Sequence, residues 1–178
     1  MYLINFSSNF LSGTISSLIG GMNQLNTLEI NDCSLSGAIP TSLFELPSVN
    51  HVSLSKNKLN GTLTFLAVNN NFAYLDLSYN LLNGSIPTSI ANLKNLYHLD
   101  LSHNPLLSGP IPDSFGTTLN SLNYLSLAYC NILGPIPQSI KNLIFYNYLY
   151  LNDNPNLCET CISFSTAACN FTNVGTNC

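Results

Sequence analysis

One motif recurs along almost the whole chain, and its spacing leaves few folds open. Seven segments read apolar-x-apolar-x-x-Asn/Cys: Ile4–Asn9, Leu28–Cys33, Val52–Asn57, Leu75–Asn80, Leu99–Asn104, Leu125–Cys130 and Leu149–Asn154. Their final residues are separated by 24, 24, 23, 24, 26 and 24 positions. A Leu-Ser-Gly, Leu-Asn-Gly or Leu-Gly block follows each of the first six, ending in Gly13, Gly37, Gly61, Gly84, Gly109 and Gly134. Four of these blocks run on into Ile39-Pro40, Ile86-Pro87, Ile111-Pro112 and Ile136-Pro137. A fixed period of this length is the signature of a solenoid. One such unit cannot bury its leucines alone, whereas stacked units share a continuous core.

The chemistry of each position follows from that stacking. In a short strand alternate residues point inward, so Leu99 and Leu101 bury while His98, Asp100 and Ser102 face out. The closing residues Asn9, Cys33, Asn57, Asn80, Asn104, Cys130 and Asn154 lie where backbone amides leave the strand inside the coil. A side-chain amide offers two donors and an acceptor, so a ladder of them satisfies those groups. Losing one rung leaves buried groups unpaired, at about 1–3 kcal/mol. The glycine permits a positive φ in the following turn, and Ile-Pro suits an extended segment without a free N–H. Thr62 to Asn71 lacks Ile-Pro, and the unit after Asn104 carries extra residues near Pro105-Leu106 and Thr117-Thr118. Both places predict local bulges rather than a break in the count.

The composite pattern L-x-x-L-x-L-x-x-N-x-L-S-G-x-I-P, covering about residues 2–157, resembles the plant-type leucine-rich repeat. That subclass occurs in receptor-like kinases, receptor-like proteins and polygalacturonase-inhibiting proteins. The resemblance implies an α/β repeat solenoid, a right-handed superhelix with a parallel sheet on its concave face and a 3-10 or irregular convex side. It also implies leucine-rich repeats over 1–157 and a cysteine-rich C-terminal cap over 158–178. The chain opens inside a repeat, without the cysteine-containing N-terminal cap of that family or a leader-like start. It therefore reads as the C-terminal part of a longer protein or as an incomplete gene product.

Charge narrows the function. Only 7% of residues are charged, with four lysines, no arginine and eight acids, for a net charge of −4. So few cations cannot supply the basic footprint of a nucleic-acid or polybasic membrane binder. No apolar run approaches the roughly 20 residues that cross a bilayer. The leucine content argues against disorder. A polar surface of Asn, Ser, Thr and Tyr fits an extracellular or cell-surface protein. Cys33 and Cys130 occupy ladder positions and read as buried, inert thiols. Cys158, Cys161, Cys169 and Cys178 cluster after the last repeat and read as a disulfide-stapled cap in an oxidising compartment. Three pairings are open, with crossed ones favoured over a strained Cys158–Cys161 bridge. A zinc site at this spacing is the weaker alternative. Sequons at Asn60, Asn83 and Asn170 read as glycosylation sites, whereas the one at Asn5 falls on the concave strand, where a glycan would obstruct binding.

A catalytic constellation is hard to find. His98, Asp100 and Ser102 superficially resemble a hydrolase site, but alternate strand residues stand about 6.5 Å apart, beyond hydrogen-bond reach. The residues call for no cofactor and no metal, and the chain reads as a non-enzyme. The distinctive feature is the outward face. The column before each first strand leucine runs Thr27, His51, Tyr74, His98, Tyr124, Tyr148, and the column before each ladder residue runs Asp32, Lys56, Tyr79, His103, Tyr129, Asp153. At about 4.8 Å between strands, seven strands make stripes roughly 29 Å long. Tyr and His combine a flat ring with a polar tip, as interfaces favour, although they also suit a half-exposed sheet surface. The candidate ligand-binding residues are Tyr74, Asp76, Tyr79, His98, Asp100, His103, Tyr124, Tyr129, Tyr148 and Tyr150. The ligand is expected to be a protein, peptide or glycan, with a co-receptor as a further partner, in receptor-like signalling or defence. If His98 and His103 met an acidic ligand, binding would strengthen as pH falls through about 6.5. The alternatives are a secreted inhibitor of a cell-wall-degrading enzyme and a structural cell-wall or adhesion protein.

Overall fold

A computed structural model describes residues 2–64, 71–143 and 148–158, together with the backbone of 169–170 and 174–175. Short strands alternate along the chain: β1 (Tyr2–Asn5), β2 (Ser12–Thr14), β3 (Leu25–Glu29), β4 (Ser34–Ala38), β5 (His51–Ser53), β6 (Lys58–Thr62), β7 (Tyr74–Asp76) and β8 (Leu81–Ser85). They continue as β9 (His98–Asp100), β10 (Leu106–Gly109), β11 (Tyr124–Ser126), β12 (Asn131–Pro135), β13 (Tyr148–Tyr150), β14 (Asn154–Cys158), β15 (Cys169–Asn170) and β16 (Val174–Gly175). The odd-numbered strands form one parallel sheet and the even-numbered strands a second, each stepping by one coil at a time. Short helices α1 (Thr41–Phe44) and α2 (Ser114–Thr118) and 3-10 turns at Ser17–Gly21, Thr88–Asn92 and Gln138–Asn142 close the coils.

The leucine alternation places the core as expected. Leu75, Leu99, Leu125 and Leu149 lie against one another in register, and they and Leu77, Leu101, Leu127 and Leu151 are all fully buried. Each contributes about 1.5–3 kcal/mol of apolar transfer. The Ile-Pro pairs act as entry points to the convex turns. Pro40, Pro87 and Pro137 hold φ near −68°, −73° and −61° with ψ near 136–141°, one residue ahead of a helical segment. Their preset φ starts the turn, and the isoleucine before each is buried.

The second sheet adds to the single concave sheet that the repeat pattern implied. Leu35, Leu59, Leu82, Leu107 and Ile132 of its strands all point into the core. Its glycines are doubly required: Gly84 has φ +74°, and a Cβ there would stand 2.8 Å from Thr62 Cγ2 of the preceding coil. The extra residues after Asn104 are absorbed by α2 and by a local turn in which the Leu107 amide donates to the Asn104 carbonyl at 2.9 Å. In the coil without Ile-Pro, residues 65–70 fall outside the described residues. Beyond β14 the chain pairs again with both sheets, β15 on β13 and β16 on β14. Cys161 and Cys178 lie outside the described residues, as do the side chains of Cys169 and Asn170, so the expected disulfides and the Asn170 sequon do too.

Candidate ligand-recognition face

The ladder beneath the first sheet fixes the direction of every outward side chain. Asn104 is fully buried; its Oδ1 accepts from the Leu82 amide of the preceding coil, and its Nδ2 donates to the carbonyls of Leu77, Leu101 and Ser102 at 2.9–3.3 Å. Asn57, Asn80 and Asn154 repeat this pattern. Cys130 keeps only the donor half, its thiol reaching the Leu101 carbonyl at 3.3 Å, and burial pushes that thiol up to about 12. Two positions depart from expectation because they sit in or directly against the first coil. Asn9 makes the donor bonds to Phe6 and Ser7 yet is exposed, and Cys33, read as buried, is half-buried.

Above the ladder the aromatic columns close into two stacks. In the first, His51, Tyr74, His98 and Tyr124 lie face to face with successive centroids 4.1 Å apart and ring planes within 8–15°. In-register parallel strands place like positions about 4.8 Å apart, and leaning rings close the remaining gap. The stack breaks at its far end, where Tyr148 and Tyr150 tilt by 43° and 53° from Tyr124. Tyr97, which the column pattern did not single out, braces Tyr74 and His98 edge-on at 6.2 and 6.5 Å. In the second stack Tyr79, His103 and Tyr129 lie 3.9 and 4.3 Å apart. Their backbones, like every residue of that column from Ser8 to Asp153, are left-handed, with φ between 52° and 58°. That region costs a non-glycine residue roughly 1–2 kcal/mol, so these rings are held at positions where Asn or Gly would be easier.

Between the two ridges runs a trough floored by the middle column of the strands: Glu29, Ser53, Asp76, Asp100, Ser126 and Tyr150 in successive coils. Near its C-terminal end it deepens into a depression of about 380 Å³ lined by Asp100, His103, Tyr124, Tyr129, Tyr150 and Asn152. Asp76 accepts from the Ser78 amide and hydroxyl, and Asp100 from the Ser102 amide at 2.9 Å and the Tyr124 hydroxyl at 3.2 Å. At the N-terminal end Glu29 takes a 2.6 Å bond from Asn5 and lies 3.3 Å from His51. The phenols are harder to ionise than usual. Burial, then the charges of Asp76 and Asp100, push Tyr74 up to about 12; burial and Asp100 raise Tyr124; the charge and hydrogen bond of Asp153 raise Tyr129. Burial lowers His98 and His103 below the ordinary imidazole value, against the opposing pull of Asp100 on both.

The ten candidate residues therefore share one face: eight in the two ridges and their tilted C-terminal end, and Asp76 and Asp100 between them. What the columns did not reveal is that the rings stack on each other, so that within each stack they present edges and polar tips outward. Asp100 is held by Ser102 and Tyr124 rather than by His98, so the hydrolase-like trio forms no relay. Asn60 (exposed) and Asn83 (half-buried) lie in β6 and β8 of the other sheet, away from the trough. Among the described residues no group of three or more metal-ligating side chains converges, and no helix is long and apolar enough to cross a membrane.

Known proteins are similar to this chain in sequence and in fold. The chain is 35% identical over 78 residues to Receptor-like protein 41 of Arabidopsis thaliana, covering 44% of this chain and 9% of that protein. It superposes with a TM-score of 0.81 and 31% identity on the Arabidopsis receptor kinase HAESA, solved in complex with the peptide hormone IDA and the co-receptor SERK1. That match covers 89% of this chain and 30% of the HAESA chain. A plant ice-binding protein superposes at 0.83 with 26% identity, over 96% of this chain and 56% of its own. The chain thus spans less than a tenth of the receptor-like protein and under a third of the receptor ectodomain. The Leucine Rich Repeat family model matches residues 24–46, 71–93, 95–118 and 121–143. Those spans include the coils of Asn80 and Asn104, whose buried leucines and ladder bonds hold the centre of the face together, and the chain belongs to the leucine-rich repeat family.

Proposed function

We propose that this chain is a non-catalytic recognition segment of an extracellular, receptor-like solenoid that holds a peptide or protein ligand against the first sheet. The observation that carries the reading is the pair of aromatic ridges flanking a hydroxyl- and carboxylate-lined trough. The likeness to HAESA, whose solved complex contains a peptide hormone and a co-receptor, supports it. A peptide fits better than a glycan. Sugars pack on open ring faces, and within the two stacks those faces are occupied by neighbouring rings. The reading is tested by selecting displayed random dodecapeptides against the protein. Enrichment should be lost in Tyr124→Ala and Tyr148→Ala, each ring contributing about 1 kcal/mol or more of binding, and kept in Leu106→Ala on the opposite sheet. Enrichment indifferent to the rings would refute it.

A second reading, ice binding, has its own observations. The second sheet carries many hydroxyl and amide side chains, Ser12, Thr14, Ser36, Asn60, Thr62, Asn83, Ser85 and Ser108, all at least partly exposed, with Thr14 against Ser36, Thr62 against Asn83 and Ser85 against Ser108 in register. The fold likeness to a plant ice-binding protein runs over nearly the whole chain. Arrest of ice recrystallisation, abolished by Thr62→Glu, would favour it over peptide recognition.

A further inference from the structure

The charges of this chain are unevenly placed. The outward columns of the first sheet and the adjoining left-handed column hold Glu29, Asp32, Asp76, Asp100 and Asp153 against Lys56 alone. The remaining three acids of the sequence are matched in number by its remaining three lysines. The whole net charge of −4 therefore sits on the face that carries the ridges. Burial holds His98 and His103 low, so these two imidazoles do not offset it near neutrality. Asp76 and Asp100 are paired in register at the centre of the trough, on adjacent strands whose backbones stand about 4.8 Å apart. Both are half-exposed, with oxygen lone pairs still open beyond the bonds from Ser53 and Ser78 to Asp76 and from Ser102 and Tyr124 to Asp100. Like charges on directly opposed strand positions repel, and a cation lying between them relieves that repulsion.

The ridges determine the shape of what brings that cation. From His51 to Tyr148 the first ridge crosses five strands, about 19 Å, the length of about six extended residues. An extended segment lying along the trough turns alternate side chains toward its floor. We infer that the trough takes an extended peptide segment bearing lysine or arginine at alternate positions, its cationic tips seated between Asp76 and Asp100 and against the outward oxygens of Tyr74 and Tyr124. This rests on the peptide-recognition reading above and names its ligand class.

The test titrates fluorescein-labelled (Gly-Lys)6, (Gly-Ser)6 and (Gly-Glu)6 against the full chain in 150 mM salt, followed by anisotropy. (Gly-Lys)6 should bind at least tenfold tighter than (Gly-Ser)6, and (Gly-Glu)6 should be weakest. The near-isosteric double variant D76N/D100N should lose at least tenfold for (Gly-Lys)6. Glu45→Gln, which removes a charge from an exposed site on the convex side, should stay within twofold and so excludes a general net-charge effect. Absent binding of (Gly-Lys)6, equal or tighter binding of (Gly-Glu)6, or indifference to D76N/D100N overturns the inference. Ring-dependent enrichment of neutral or acidic dodecapeptides in the display experiment would then show that peptide recognition survives without it.

Discussion

Asn104→Ala tests how the ladder holds the coils. The substitution removes one acceptor and one two-proton donor from a fully buried site. Its three carbonyl partners each keep another donor: Leu77 retains Asn80 Nδ2 at 3.1 Å, Leu101 retains the Cys130 thiol at 3.3 Å, and Ser102 retains the Tyr79 amide at 2.9 Å. The Leu82 amide is different, because Asn104 Oδ1 is its acceptor. Orphaning that one buried donor costs about 1–3 kcal/mol, and the weakened carbonyls bring the loss to about 3 kcal/mol. Cys130→Ala at the equivalent rung strands no amide, since Leu107 already donates to the Asn104 carbonyl, so it costs about 1 kcal/mol of lost packing. Asn104→Cys should fare no better than N104A for the same reason. In urea unfolding followed by circular dichroism, N104A should lower the midpoint by about 1 M or more at unchanged slope, given slopes of about 1–3 kcal/mol/M. C130A should move it by less than half as much. Equal shifts for the two would refute the claim that the orphaned amide, rather than side-chain volume, sets the cost.

Three further outcomes follow from the geometry. Because burial lowers His98 and His103 in the folded chain, the unfolded chain binds more protons once pH falls below about 6.5. Stability from these groups is thus fully present above that value and is lost on acidification. His98 faces Asp100, Asp76, His51, Tyr74, Tyr97 and Tyr124, and His103 faces Asp100, Asp153, Tyr79 and Tyr129, so the H98N/H103N variant should flatten the urea midpoint between pH 7 and pH 5. Gly116→Ala in α2 should cost about 3 kcal/mol, because a Cβ there would lie 1.8 Å from the Ser139 carbonyl oxygen; Gly21→Ala, with open space around it, should stay within about 0.5 kcal/mol in the same assay. Removing the charge of Asp100 with D100N should bring the ultraviolet titration of Tyr74 down from about 12 and that of Tyr124 down as well; an unchanged titration would refute a contribution of the Asp100 charge to either shift.

The period, the buried leucine pairs and the in-register columns were legible in the sequence because each coil repeats one local rule. Leu75, Leu99 and Leu125 align in the sequence as they do in the sheet. The second sheet was hidden for a local reason. A segment such as Leu81-Leu-Asn-Gly-Ser85 has a glycine in its centre and a low strand propensity, and it becomes a strand only when a neighbouring coil offers it a partner. The left-handed column was partly visible at Asp32 and Asp153, residue types that tolerate that backbone, but Tyr79, His103 and Tyr129 concealed it. The columns foretold ring proximity without ring orientation, since a spacing of about 4.8 Å is compatible with both stacked and splayed side chains. The different partner of Leu107 became apparent only once the extra residues near Pro105 had a place to go.

The ladder bonds, the sheet pairings and the ring stacks described here each join a coil to itself or to the coil beside it. The molecule accordingly has no intrinsic length. Excising one cassette of 24 residues, or duplicating one, would bring the two ends about 4.8 Å closer or farther and leave all but the flanking coils with the partners they already have. The trough is then a ruler whose span is set by the number of cassettes, and its grip on a ligand can be lengthened without redesigning any single contact.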